Sequence, residues 1–142
     1  MFQFNRKVEY ALAIVAHMTL AGREQLHSAR SIAEHTRIPF DMVTKCLQRL
    51  HKRGLCQAVQ GKHGGYRLTA DPTELTVGGF IAAVFEPVAV ADCIAKPSGS
   101  ECQLLGDCQL QAPMERLNQR VTELLDSFSL ADFLGLQSSQ NP

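Results

Sequence analysis

Two short β-prone segments flank a glycine-rich loop in the stretch Leu55-Cys56-Gln57-Ala58-Val59-Gln60-Gly61-Lys62-His63-Gly64-Gly65-Tyr66-Arg67-Leu68-Thr69. The segments 55–60 and 66–69 favour strands. Three glycines in the loop between them can adopt the positive φ angles of a tight turn. The sequence therefore predicts a β-hairpin whose tip carries Lys62 and His63.

Three helices are predicted on the N-terminal side of this hairpin, at 5–21, 28–36 and 40–53. In the third helix the apolar residues follow the i, i+3, i+4, i+7 pattern at Val43, Cys46, Leu47 and Leu50. A turn that ends at Pro39 separates the second and third helices, because a residue before proline avoids the helical region. Cys46 is expected to face the core.

Two helices joined by a short turn and followed at once by a hairpin are typical of a winged helix-turn-helix, whose second helix enters the major groove of DNA. We expect base contacts from Thr44, Gln48 and Arg49, and a minor-groove contact from Lys62 or His63. The candidate DNA-contacting residues are Ser31, Phe40, Asp41, Thr44, Lys45, Gln48, Arg49, Lys62, His63, Gly64 and Tyr66. The alternative is a helix whose polar face is simply solvated.

The charge of the chain is divided between its halves, although the net charge is zero. Residues 1–70 hold eleven Lys and Arg against four Asp and Glu, a balance of +7. Residues 71–142 hold three against ten, a balance of −7. A basic first half beside an acidic second half favours binding of a polyanion by the first half.

The second half is predicted to be helical around a loop, with helices at 77–86, 113–127 and 129–136 and a polar tail at 137–142. The helix at 113–127 has an apolar stripe at Leu117, Val121, Leu124, Leu125 and Phe128. A small winged domain cannot cover this stripe, so we expect a homodimer, which also suits a palindromic operator. Alternatively, the helix packs only on its own chain.

The predicted fold class is mostly α with one small β-hairpin, a winged helix-turn-helix followed by a long dimerisation helix. The predicted division is a DNA-binding domain at 1–75, a cysteine loop with dimerisation helices at 76–136, and the tail. No run of about eighteen apolar residues is present, and Arg6, Lys7 and Glu9 interrupt any signal-peptide block. We expect a cytoplasmic protein with no membrane partner.

Three cysteines, Cys93, Cys102 and Cys108, lie in a predicted loop and are separated by eight and five residues. A loop can bring three thiolates together, and soft sulfur ligands favour iron–sulfur clusters, zinc or Cu(I). The alternatives are three unremarkable thiols, or a disulfide with one spare thiol. An enzyme with a nucleophilic cysteine needs a positioned base, but no His follows residue 63. We therefore expect no enzyme, and a protein-interaction adaptor is the remaining alternative.

The order of these features resembles the Rrf-two family of bacterial winged-helix regulators, which includes IscR-like and NsrR-like iron–sulfur regulators. The resemblance spans about 4–136 and is carried by the wing Gly61-Lys62-His63-Gly64-Gly65-Tyr66, the helix that begins Leu75-Thr76-Val77-Gly78-Gly79-Phe80, and the three cysteines. It implies that Cys93, Cys102 and Cys108 bind an iron–sulfur cluster.

The fourth ligand and one DNA contact depart from the IscR-like pattern. The position of the IscR-like histidine ligand is Gln111 here, whereas the acidic ligand of NsrR-like proteins matches Glu9, which would bind in trans. An IscR-like wing arginine is replaced by Gln60. The resemblance implies a 4Fe–4S cluster in preference to 2Fe–2S.

The function expected from the sequence is that of a transcription regulator, in particular a repressor, whose DNA affinity responds to a cluster that senses redox state, nitric oxide or iron–sulfur status. The alternative is a cluster-free winged-helix regulator that responds to thiol oxidation or to zinc.

Overall fold

Seven helices and one hairpin are found in the computed structural model, which describes residues 3–96 and 108–136. In chain order the elements are α1 (Arg6–Gly22), α2 (Ala29–Thr36), α3 (Phe40–Lys52), β1 (Cys56–Val59), β2 (Gly65–Leu68), α4 (Val77–Val84), α5 (Asp92–Ala95), α6 (Gln111–Asp126) and α7 (Leu130–Phe133). The prediction of a mostly helical chain with one hairpin and a long helix near its C-terminal end is confirmed.

Short polar side chains start four of the helices by accepting a hydrogen bond from a backbone amide of the first turn. Asn5 accepts from Lys7 at 2.9 Å and Ser28 accepts from Ser31 at 3.1 Å. The remaining two caps are Thr76 and Ser129, whose hydroxyls accept at 2.9 and 3.0 Å. These caps fix where α1, α2, α4 and α7 begin, because the first amides of a helix have no partner within it.

The turn between α2 and α3 is made by a residue in the left-handed region. Arg37 has a φ of 62°, and its N–H donates to the Ala33 carbonyl at 2.9 Å. Pro39 follows as the N-cap of α3. The chain therefore reverses within three residues, so that α3 packs across α2 and α1.

The hairpin is antiparallel, with Cys56 opposite Leu68 and Val59 opposite Gly65. Strand β2 is attached to the loop between α1 and α2, where His27 and Tyr66 form an isolated bridge. Gly65 has a φ of +154°, and a Cβ atom there would lie 2.7 Å from the His27 carbonyl oxygen. Only glycine fits this close approach, and it lets the wing lie directly against the loop between α1 and α2.

One core joins both halves of the described chain. Buried side chains from α1, α2, α3 and the hairpin pack with those of α4, and Leu130 of α7 completes the cluster. Cys46 is buried in this core, as predicted, together with Cys56 of β1. The predicted division at residue 75 remains a prediction about domains, and this core crosses it.

Helix α6 contains no buried residue, although it is 16 residues long. It packs against α4 and α5. The segment after it is fixed to the start of α4: Leu130 N donates to the Leu75 carbonyl at 2.7 Å, and Val77 N donates to the Phe128 carbonyl at 3.1 Å.

Helices α4 and α7 end earlier than predicted, at Val84 and Phe133. Two further differences concern α6 and α5. Helix α6 begins at Gln111 instead of Pro113, which is possible because a proline in the first turn removes an amide that has no helical partner. Helix α5 lies where a loop was predicted. No helix in the described ranges is long and apolar enough to cross a membrane.

Candidate functional site

The exposed face of α3 carries most of the residues predicted to contact DNA. Asp41, Lys45 and Gln48 are exposed along it. Thr44 is half-buried, and its hydroxyl donates to the Phe40 carbonyl at 3.0 Å. The Thr44 oxygen can still accept a hydrogen bond, so the side chain remains able to pair with a donor on a base edge.

Phe40 and Ser31 lie at the start of the helix pair. The Phe40 ring is 53% exposed, and the guanidinium carbon of Arg30 lies 5.8 Å from its centroid. Ser31 is half-buried, and its backbone carbonyl accepts a bond from His35 Nδ1 at 2.7 Å. An aromatic ring beside an arginine thus extends the exposed surface of α3 toward α2.

The predicted wing residues fall into two groups. Lys62 and His63 are exposed at the tip. Gly64 and Tyr66 have structural roles, since a Cβ atom on Gly64 would collide with the Val59 carbonyl oxygen and Tyr66 packs partly buried against the core. The tip is therefore the part of the hairpin whose side chains are accessible to DNA.

Arg49 is turned toward α4, although the sequence predicted a base contact for it. Its Nη1 donates to the Val84 carbonyl at 3.3 Å, and its Cζ lies 5.0 Å from the centroid of the Phe85 ring. The helical pattern correctly placed Arg49 on the outer face of α3 but gave no sign of a partner thirty-five residues away.

Basic side chains line a cleft of about 370 Å³ beside α3. It is formed where the start of α1, the second half of α3 and Phe85 meet, and its cations are Lys7, Lys45, Arg49, Lys52 and Arg53. Among the residues that the structure describes, no acidic side chain lines this cleft. A larger hollow of about 800 Å³ lies on the other side of Arg49, between α1, the end of α4 and α6.

Two of the three predicted ligand cysteines are within the described residues. Cys93 lies in α5 and Cys108 lies just before α6, and both are free, half-buried thiols. Helix α5 packs against α6, and Val90 N donates to Asn118 Oδ1 at 3.0 Å. Cys102 lies outside the described residues.

Glu9, the predicted ligand from a partner subunit, is exposed near the start of α1 and forms an ion pair with Arg6 at 3.5 Å. Across 3–96 and 108–136, no three His, Cys, Asp or Glu side chains are grouped so that they could hold a metal ion. The assignment of ligands therefore stays a prediction.

The two core cysteines are chemically distinct from those of the loop. Burial raises the pKa of the Cys56 thiol to about 12. Burial also raises the pKa of Cys46, although the nearby charges of Arg49 and Lys7 oppose this shift. Thiols held in the protonated form are poor nucleophiles and metal ligands.

A histidine cluster was not predicted from the sequence. The ring of His17 in α1 lies 5.2 Å from that of His35 and 6.0 Å from that of His27, measured between centroids. Burial, then the charges of His35 and His27, lower the pKa of His17. The three residues come from separate parts of the chain, so no local spacing indicates their approach.

The comparisons with known proteins agree with this architecture. The family model described as "Rrf2: Iron-dependent Transcriptional regulator" matches residues 4–135. The HTH-type transcriptional regulator NsrR of Geobacillus kaustophilus is 27% identical over 132 residues, covering 93% of this chain and 89% of the relative. The HTH-type transcriptional regulator IscR of Serratia proteamaculans is 30% identical over 131 residues, covering 92% and 78%.

A solved structure gives the same result for the fold. The structure of CymR (YrzC), the global cysteine regulator of B. subtilis, superposes with a TM-score of 0.71 at 25% identity and covers 97% of this chain and 100% of that chain. The relatives are transcriptional regulators, which confirms the expectation that the chain is not an enzyme. With a family model that spans nearly its whole length, the chain belongs to the Rrf2 family of transcriptional regulators.

Proposed function

We propose that the chain binds operator DNA as a homodimer and that the chemical state of the segment containing Cys93, Cys102 and Cys108 sets its DNA affinity. The observation that carries this proposal is the contact of Arg49, in the recognition helix, with Val84 and Phe85. Phe85 lies eight residues before the free thiol of Cys93. The recognition helix thus contacts the piece of chain that leads to the first of the three cysteines.

Electrostatics support DNA as the partner. The basic cleft beside α3 and the exposed Lys62 at the wing tip place cations around the face of the helix that would enter the major groove. Each lysine or arginine that neutralises a phosphate releases counterions, so affinity should fall steeply as salt rises.

The surface of α6 supports a second copy of the chain as its partner. Leu110, Leu117 and Leu124 recur every seven residues and are 54%, 50% and 59% exposed. Met114, Val121 and Phe128 fall between them at the spacing of a coiled-coil seam. We infer that two α6 helices pair along this seam, which would set the two recognition helices on one DNA face.

The donor set fits a thiolate-bound iron–sulfur cluster. Cys93 and Cys108 are free and half-buried, Cys93 lies in α5 and Cys108 lies just before α6, on which α5 packs; Glu9 of a second copy would complete the set. A cluster bound there would supply iron that reacts with oxidants or nitric oxide. A cluster held by the thiolates of Cys93 and Cys108 would link α5 to the residues just before α6. The favoured type is 4Fe–4S, with 2Fe–2S as the alternative.

A second candidate keeps the DNA binding and omits the cluster. The similarity to CymR, the global cysteine regulator of B. subtilis, favours a thiol response. In this case, oxidation of the thiols or zinc binding would change the same segment.

The deciding experiment is the visible spectrum of protein purified without oxygen, with iron and acid-labile sulfide counted. Absorbance near 400 nm with labile sulfide supports the cluster, whereas a colourless protein after reconstitution with iron and sulfide excludes it. In parallel, oligonucleotides selected from a random library are titrated at two salt concentrations. Absence of a salt-dependent, sequence-selective complex would overturn the DNA-binding proposal.

A further inference from the structure

Arg49 connects the recognition helix to the end of α4. The Val84 carbonyl belongs to the last residue of α4, and carbonyls at a helix C-terminus lack helical partners and carry partial negative charge. The Arg49 guanidinium supplies a donor there at 3.3 Å and lies over the ring of Phe85, the C-cap residue. In the described part of the chain, this is the one hydrogen bond found between α3 and α4.

The residues after Phe85 lead directly to the cysteine segment. Phe85 is eight positions before Cys93. Between them, Val90 N is tied to Asn118 of α6 at 3.0 Å. The ring beside Arg49 and the Cys93 thiol are therefore joined by a short piece of chain that is also attached to α6.

Arg49 also lies on the border between two surfaces. It lines the basic cleft with Lys45 and Lys52, and it lines the larger hollow between α1, α4 and α6. Stacking on Phe85 turns the guanidinium toward α4, and without that ring it is free to extend toward a DNA phosphate. The position of Phe85 therefore sets the direction in which this cation points.

We propose that Arg49 is the positioning residue through which α5, which carries Cys93, controls the recognition helix. When Phe85 and the Val84 carbonyl hold the guanidinium, α3 is fixed to α4. When α5 shifts, Arg49 is released and extends further toward the phosphate backbone. This inference rests on the proposed function, since it needs a DNA affinity that depends on the cysteines.

The test uses the full chain in two states, reconstituted with ferrous iron and sulfide, and then stripped with a chelator. The measured quantity is the ratio of the two dissociation constants for one selected DNA site. Arg49→Lys keeps the positive charge but loses the planar, stacking fork. Phe85→Leu keeps an apolar side chain but removes the ring. Both should reduce the ratio toward one from an expected wild-type value of roughly 5- to 150-fold.

Lys52→Ala is the matched control, because it removes one exposed cation from the same helix without touching Phe85. It should weaken binding in both states and leave the ratio unchanged. If Arg49→Lys and Phe85→Leu retain the wild-type ratio, the inference is overturned. A wild-type ratio of one would instead contradict the proposed function itself.

A second measurement does not depend on DNA. The chain has no tryptophan, so Phe85→Trp introduces a single tryptophan at the contact, whose emission serves as the reporter. Its emission maximum should differ between the two states, and this difference should shrink when Arg49→Lys is added. An emission maximum that is the same in both states would show that the contact does not respond to the cysteine segment, and would overturn the inference.

Discussion

His27 and Tyr66 exchange two backbone hydrogen bonds, each 2.8 Å long. His27 belongs to the loop between α1 and α2, whereas Tyr66 belongs to β2 of the wing. A two-stranded hairpin is only marginally stable by itself. These two bonds therefore extend the hairpin by a third backbone segment and fix its direction relative to the helix pair.

Replacement of Gly65 by alanine should loosen the wing. The new Cβ would meet the His27 carbonyl oxygen at 2.7 Å, in a backbone conformation that L residues rarely adopt. We expect a loss of about 1–3 kcal/mol in the free energy of unfolding, measured with urea. Gly61→Ala is the control, because Gly61 also has a positive φ but nothing lies within 4 Å of its added Cβ. Equal losses in both variants would mean that the contact with His27 is unimportant.

The cysteines should separate into two classes on alkylation of the folded, metal-free protein. Only the thiolate reacts, and a pKa of about 12 lowers the thiolate fraction of Cys56 roughly 10³-fold below that of an ordinary thiol near neutral pH. Iodoacetamide should label Cys93 and Cys108 first, and Cys46 and Cys56 only after unfolding. Peptide mass spectrometry gives the order in which the cysteines are alkylated. Labelling of Cys56 as fast as Cys93 would contradict the prediction.

Substitution of Leu124 by glutamate should dissociate the proposed dimer. Burial of a leucine stabilises by about 1.5–3 kcal/mol, and a symmetric interface would contain two copies of the residue. Sedimentation velocity at a series of concentrations should show a monomer where the unmodified chain is dimeric. Leu20→Glu is the control, since Leu20 is 75% exposed on α1 and lies outside the α6 seam. A dimer of Leu124→Glu with unchanged affinity would place the interface elsewhere.

The histidine cluster should make the protein less stable in mild acid. The folded pKa of His17 is below its ordinary value of 6.5, because of burial and the neighbouring histidines. The unfolded chain therefore binds the proton more readily. The contribution of neutral His17 to the free energy of unfolding is fully present above about pH 6.5. It is lost as the pH falls from there through the folded pKa.

His17→Gln should consequently reduce the fall in melting temperature between about pH 7.5 and about pH 5.5, a range that brackets the ordinary titration of histidine. His63→Gln, at the exposed tip of the wing, is the matched control. Identical pH profiles for His17→Gln and the unmodified chain would show that the histidine cluster does not cause the loss of stability in acid.

Most of the fold could be predicted because local signals and apolar periodicity agree. Ser28 and Thr76 mark helix starts, and the loop glycines identify the hairpin. Helix α5 was missed because it has four residues and no side-chain cap, so its pattern is too short to recognise. Its position depends on packing against α6, which local sequence does not encode.

The candidate site could be predicted only in part. Surface residues of α3 and the free thiols follow from pattern and composition, but the partner of Arg49 does not. Periodicity shows which face of a helix a residue occupies, whereas the bond to Val84 depends on how α3 and α4 are brought together. Likewise, the spacing of residues within one chain does not indicate a metal ligand that a second copy supplies, as predicted for Glu9.

The position of Leu130 in the core has a consequence for synthesis of the chain. Its side chain packs in the same cluster as those of α1, α3 and α4. At translation rates of about 5–20 residues per second, roughly 3–12 s pass between completion of the wing and the emergence of this leucine. During that interval the nascent DNA-binding part keeps apolar surface uncovered, so it is open to chaperones before it can recognise a promoter.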